Sequence, residues 1–176
     1  HPTALEDYRR FFFYTEGEAL LAVAKQRCPG GAIPPPGPLP AGCERAVYID
    51  QNEYGGVWSN NTPRPLDPAS VGNGVVMVAA RHAMGMIGRL LGPRVHLVDR
   101  AGLADPIASR LELIVRGRPG HEKTLTNEWI VARFAAPAPQ DDPSITTARR
   151  VLRCGDVAEL DHALRDPMTV GRFLRN

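Results

Sequence analysis

The apolar positions of this chain fall into runs with two different periods. From Val75 onward, VVMVAARHAMGMIGRLL places Val75, Val76, Val78, Ala79, Met86, Ile87 and Leu90 near i, i+3, i+4, i+7 spacing, which predicts one amphipathic helix. Gly85 and Gly88 would let that helix approach a neighbour closely. Gly92-Pro93 ends it. Two short runs rich in β-formers, RAVYID (45–50) and VHLVD (95–99), predict strands. Strand, long connection, helix, strand is the βαβ order, so the two strands are expected to run parallel.

The remaining pattern is helical or irregular. Residues 4–27 read as a helix, with Glu6 and Asp7 in its first turn, Phe12, Phe13, Leu20, Leu21 and Val23 as its apolar positions, and Gly17 weakening its middle. Asp105-Pro106 starts a short helix, with Asp105 as N-cap and proline at the first helical position. Thr126 caps a helix through NEWIVARF, and Ser144 or Asp142 opens one through TTARRVLRC. Asp156 caps a last helix, VAELDHALRD, and the end, PMTVGRFLRN, reads as irregular. Residues 28–43 form a Pro/Gly loop too rigid for helix or central strand, and 135–143 read as a linker. The expected fold is α/β: one domain over 1–176, a small parallel or mixed sheet flanked by helices, with a Pro/Gly-rich loop closed by a disulfide.

Composition narrows the function classes. At 176 residues the chain is long enough for one domain with its own core, and 43% apolar content is ordinary for a globular protein. A net charge of +2, carried by scattered arginines, does not point to nucleic acid. Arg81, His82 and Arg89 interrupt the longest apolar stretch well short of the ~18 residues a membrane span requires. No signal-peptide pattern opens the chain, and His1 is not an initiator Met. A processed or excised chain is expected, with any membrane or targeting segment elsewhere. Cys28 and Cys43 bracket the Pro/Gly loop, and a disulfide there would stabilise the fold by about 3 kcal/mol in the chain-entropy model. That pairing points to an oxidising, extracytoplasmic location. Cys154 is expected to be a small buried residue.

No strong catalytic motif is present: no GxSxG, HExxH, GxxxxGK[ST], GxGxxG or paired CxxC. His82 and His96 lie in core-like elements, and no metal or cofactor is expected in this domain. Ligands of open α/β sheets bind beyond the carboxyl ends of the strands, where Asp50 and Asp99 would sit. Each carboxylate would accept hydrogen bonds from ligand hydroxyls or cap a neighbouring turn. Arg100 and Asp105 follow Asp99 in the polar stretch RAGLADP. His121, Glu122 and Lys123 follow Arg116 and Arg118 in a Gly/Pro loop that reads either as a solvated basic turn or as a rim binding a phosphate, a carboxylate or sugar hydroxyls. Trp58 and Tyr54 offer flat faces for a sugar ring, as does Trp129, for which core packing is the alternative.

Taken together, GMIGRLLGPRVHLVDRAGLADPIASRL, GRPGHEK, NEWIVARF and the ending ARRVLRCGDVAELDHALRDPMTVGRFLRN resemble the C-terminal extracytoplasmic region of a family of actinobacterial membrane glycosyltransferases. These take sugar from a polyprenyl phosphate. The likeness covers roughly residues 70–176 and is weaker around RRFFFYTEG. Within it, Asp99, Gly102, Leu103, Asp105, Pro106, Gly120 and His121 match motif positions and are implied to be structural or acceptor-side residues. The resemblance implies arabinofuranosyl transfer, with decaprenyl-phosphoryl-arabinose as donor and arabinan of arabinogalactan or lipoarabinomannan as acceptor. It also implies a transmembrane catalytic part of the same polypeptide as partner, and a position on the periplasmic face of the plasma membrane. The family's catalytic acid is expected in a loop near the first transmembrane helices, so no catalytic residue is assigned to this chain. The 28–43 loop departs from the family pattern. Two other readings stand beside this one. One is a secreted glycoside hydrolase using Asp50 and Asp99, whose carboxyls would lie ~5–9.5 Å apart. The other is a structural module that binds no glycan.

Overall fold

A computed structural model of the chain describes residues 17–49, 63–81, 84–113, 116, 119, 122–165 and 170–173. Helix α1 (Gly17–Lys25) precedes strand β1 (Ala46–Tyr48), and β2 is the two-residue strand Arg64–Pro65. Strand β3 (Met77–Arg81) leads into α2 (Met84–Leu91), a 3-10 turn at Gly92–Arg94 and β4 (Val95–Asp99). A second 3-10 turn, Ala108–Arg110, is followed by α3 (Asn127–Phe134), α4 (Pro143–Val151), α5 (Gly155–Arg165) and the short α6 (Val170–Phe173).

The sheet is mixed, in the order β2-β1-β3-β4. β1 pairs with β3 in parallel, β3 with β4 in parallel, and β2 runs antiparallel to β1. Pro65 carries no N–H and stands on the edge strand, where that donor is not needed. The expected α/β class, mixed sheet and closed loop are all present, the last through a Cys28–Cys43 disulfide.

The helix expected from Val75 is corrected. Residues 77–81 form the central strand β3, and the helix begins at Met84. β3 is covered on both faces and every one of its residues is buried. A strand of that kind shows no alternation, and its unbroken apolar run fits a helical template as well. β3 also lies between the two strands read from the sequence, so β1 and β4 are parallel without being neighbours.

Alternate positions of the sheet feed two cores. Val47, Val78, Ala80 and Val98 face Ile130, Val131 and Phe134 of α3 and Ile145 and Ala148 of α4. Met77, Ala79 and Val95 face Leu20 and Ala24 of α1 and Ile87 and Leu91 of α2. Period-2 alternation in the strands thus divides one sheet between two helical layers.

Smaller expectations also shift. The first 16 residues, and so most of the helix expected over 4–27, lie outside the described residues; within the described residues α1 covers Gly17–Lys25. α3 spans the expected NEWIVARF, but its N-cap Thr126 makes no side-chain capping bond. Asp142 caps α4 by accepting from the Ser144 N–H at 2.8 Å, with Pro143 at the first position. Gly155 begins α5 and Asp156 lies in its first turn. The tail expected to be irregular contains α6. Cys154 is exposed, not buried, because it stands in the tight connection between α4 and α5. His82 lies outside the described residues.

The Pro/Gly loop is held by a residue distant in sequence. Arg94 is 3% exposed. Its guanidinium donates to the carbonyls of Pro34 at 3.1 Å, Gly37 at 2.6 Å and Gly74 at 2.7 Å, and also to that of Pro35. Proline-dense backbone is poor in N–H donors for its own carbonyls. The buried cation supplies donors, and the carbonyl dipoles solvate it in return.

Candidate functional site

The candidate site is a cavity of about 380 Å³ beside β4. Its walls come from the loop before β3 (Ser70, Val71, Val75), from β4, from the elbow Ala104–Pro106, from the end of α3 and from Leu164 of α5. The β4 wall includes His96, Leu97 and Asp99, and α3 contributes Arg133 and Phe134.

The elbow after β4 is fixed by its own side chains. Asp99 is 3% exposed, and its two carboxylate oxygens accept from the Ala101 N–H at 2.9 Å and the Ala104 N–H at 2.7 Å. Gly102 lies between them at φ +77°. A Cβ there would come within 2.9 Å of the Ala108 carbonyl carbon, so both conformation and space call for glycine. Asp105 caps the next turn as expected: its Oδ1 accepts from the N–H groups of Ile107 at 3.0 Å and Ala108 at 2.9 Å.

The other oxygen of Asp105 leads across the cavity. It accepts from Arg133 at 2.8 Å, and Arg133 Nε donates to Asp161 of α5 at 3.1 Å. The three side chains are at most 10% exposed. Arg133 also lies over the Phe134 ring, 4.8 Å from its centroid. One guanidinium therefore ties the elbow, α3 and α5 together. The His96 ring packs against Phe134, with centroids 5.2 Å apart and planes tilted by 49°. Burial lowers the His96 pKa, the Arg133 cation lowers it further, and Asp105 pulls the other way. The net shift is downward, so the imidazole is neutral at pH 7.

Of the residues singled out from the sequence, Asp99 and Asp105 line this cavity together. Arg100 does not: it is buried and donates to the Leu125 carbonyl at 3.2 Å and to Asn127 Oδ1 at 2.5 Å, tying the strand end to α3. Lys123 donates to the Ser109 carbonyl, and Glu122 is half-buried beside it in sequence. Asp50, Trp58 and His121 lie outside the described residues, so the Asp50–Asp99 pair has no separation to compare with a glycosidase. Trp129 packs on the core of α3. Among the described residues no group of three or more His, Cys, Asp or Glu side chains is placed to hold a metal ion. No described helix is long and apolar enough to cross a membrane.

Sequence reasoning missed His96 and Arg133. A signal for each was present. His96 interrupts the apolar strand VHLVD, and Arg133 lies between Ala132 and Phe134 on a helix whose other neighbours are core residues. A polar group inside a core-forming run needs a partner or a cavity.

Residues 44–176 match the model of the AftB family C-terminal domain. Among characterised relatives, the chain is 32% identical over 100 residues to the terminal beta-(1->2)-arabinofuranosyltransferase of Mycobacterium tuberculosis, covering 53% of this chain and 16% of that protein. It is 35% identical over 98 residues to the enzyme of the same name from Corynebacterium glutamicum, covering 53% of this chain and 14% of that one. The matched part is thus a minor share of either relative's length. No solved structure matches the chain.

Proposed function

The chain belongs to the AftB family, whose C-terminal domain it carries, and from that premise we propose that it is the extracytoplasmic part of a membrane arabinofuranosyltransferase and positions the acceptor glycan. The donor in this reading is decaprenyl-phosphoryl-arabinose. Transfer breaks the bond from the arabinose anomeric carbon to the phosphate and joins that carbon to a hydroxyl of the cell-wall arabinan, in arabinogalactan or lipoarabinomannan. The chemistry belongs to the membrane-embedded part of the polypeptide. This domain alone turns over no substrate and needs no cofactor.

The observation that carries the reading is the cavity beside β4. It is built wholly from residues inside the family match, between Ala69 and Leu164. It is mostly apolar, with a few converging polar groups, as small-molecule sites are. Holding one arabinan residue there would fix the next hydroxyl relative to the reacting centre, which raises the rate by orientation alone. The disulfide suits the oxidising outer face of the membrane.

A bracing role is the second reading. It is favoured by the carboxylates themselves, since every oxygen of Asp99 and Asp105 already accepts a bond from within the domain. Val71→Trp in the full-length enzyme separates the two. Filling the cavity is expected to raise the KM for acceptor about tenfold, equivalent to ~1.4 kcal/mol, and to leave the KM for donor unchanged. An acceptor KM at the wild-type value in the folded variant would leave the bracing role.

A further inference from the structure

The polar groups of the cavity differ in how far they are already engaged. Both oxygens of Asp99 are taken by backbone N–H groups. Asp105 divides its carboxylate between backbone N–H groups and Arg133, and Arg133 divides its guanidinium between Asp105 and Asp161. Ser70 donates its hydroxyl to the Asp67 carbonyl at 2.7 Å. His96 is the exception. Its ring makes no hydrogen bond among the described residues and is held by the tilted packing on Phe134.

The charge around it has a sign. Among the described residues, Asp99 and Asp105 line the cavity and Asp161 stands behind Arg133, so carboxylates outnumber the lining guanidinium. That guanidinium is already bonded on two sides. Among the described residues a phosphate entering here would meet net negative charge and no lining cation that is not already bonded, which costs desolvation without compensation. A neutral imidazole, by contrast, offers one N–H donor and one bare nitrogen acceptor, the complement of a hydroxyl group. The apolar walls, Val71, Val75, Pro106 and Leu164, suit the C–H faces of a ring.

We propose that His96 is the specificity-determining contact of this cavity, which accepts an uncharged hydroxyl-bearing ring and rejects phosphate. This rests on the acceptor-positioning reading and deepens it: the cavity takes the sugar of the acceptor and not the phosphate of the donor.

The test titrates the purified chain with a methyl arabinofuranosyl disaccharide, and separately with inorganic phosphate, following backbone amides by ¹H–¹⁵N NMR. The sugar is expected to shift the Ala104 and Leu164 amides, and phosphate at the same concentration to leave them in place. His96→Phe is expected to bind the sugar about tenfold more weakly, the effect of losing about one hydrogen bond. His96→Gln keeps a donor and an acceptor and is expected to restore affinity to within about threefold. A tilted-ring packing role alone would give the reverse order, Phe retaining binding and Gln losing it, and that result overturns the proposal. Phosphate that shifts the same amides or displaces the sugar also overturns it, and this arm needs no variant. Equal sugar affinity in wild type and both variants removes His96 while leaving acceptor positioning intact. Absence of any sugar response in wild type removes acceptor positioning and this inference together.

Discussion

Side chains that looked like ligand groups do structural work first. Asp99 and Asp105 each satisfy two backbone N–H groups in the elbow, and Gly102 closes the turn against Ala108. Gly102→Ala is therefore expected to cost about 1–3 kcal/mol, from a strained positive φ and a backbone clash; urea unfolding of the two proteins measures it. Arg133 carries more. It is the shared partner of two buried carboxylates, and truncating one member of such a group leaves uncompensated charge. Arg133→Ala is expected to lose about 3–5 kcal/mol by the same measurement. The Asp-Pro cap was legible because Asp105 and its N–H partners are adjacent in sequence. The Arg133 link was not, since Asp105 and Asp161 each lie 28 residues from Arg133 along the chain. Local spacing gives no notice of a bond that tertiary folding creates.

The elements show the same division between local and distant causes. α3 and β4 were legible because each is bounded by local signals: Thr126 before the helix and the Pro-rich 135–143 stretch after it, and Gly92-Pro93 before the strand. β3 was not, because burial on both faces erases the alternation that marks a strand. The Pro/Gly loop has no periodicity to read, and its conformation depends on Arg94 reaching it from the turn before β4, 60 residues from Pro34 along the chain. Two restraints therefore hold that loop, the disulfide and the Arg94 guanidinium. Replacing Cys28 and Cys43 by Ser is expected to lower stability by about 3 kcal/mol, from the restored freedom of a 15-residue loop. Thermal unfolding of wild type with and without reductant gives the same quantity without mutation. A much smaller loss would mean that Arg94 already orders most of the loop.

At the scale of the whole molecule, stability is expected to fall in two steps as pH drops, because two buried networks titrate in different windows. The His96 pKa is lowered in the folded chain, first by burial and then by Arg133. The unfolded chain therefore takes up this proton at higher pH, and stability is full above the ordinary histidine range near 6.5. It is lost progressively as pH falls from there toward the lowered folded value. Asp141 is governed from the other side. Burial works to raise its pKa, but hydrogen bonds from Arg64 and the Ala138 N–H and the charges of Arg64 and Arg149 bring it below 3.8. Its contribution is present above 3.8 and is lost as pH falls through the lowered value. The first step reports on the cavity wall and the second on the clamp from β2 to α4. Unfolding free energies measured by urea between pH 8 and pH 3 check both (pH range on the order of the reference carboxylate and imidazole pKa values). His96→Gln is expected to flatten the first step alone, and Asp141→Asn the second alone. A single step that neither substitution moves would place the acid sensitivity outside these two networks.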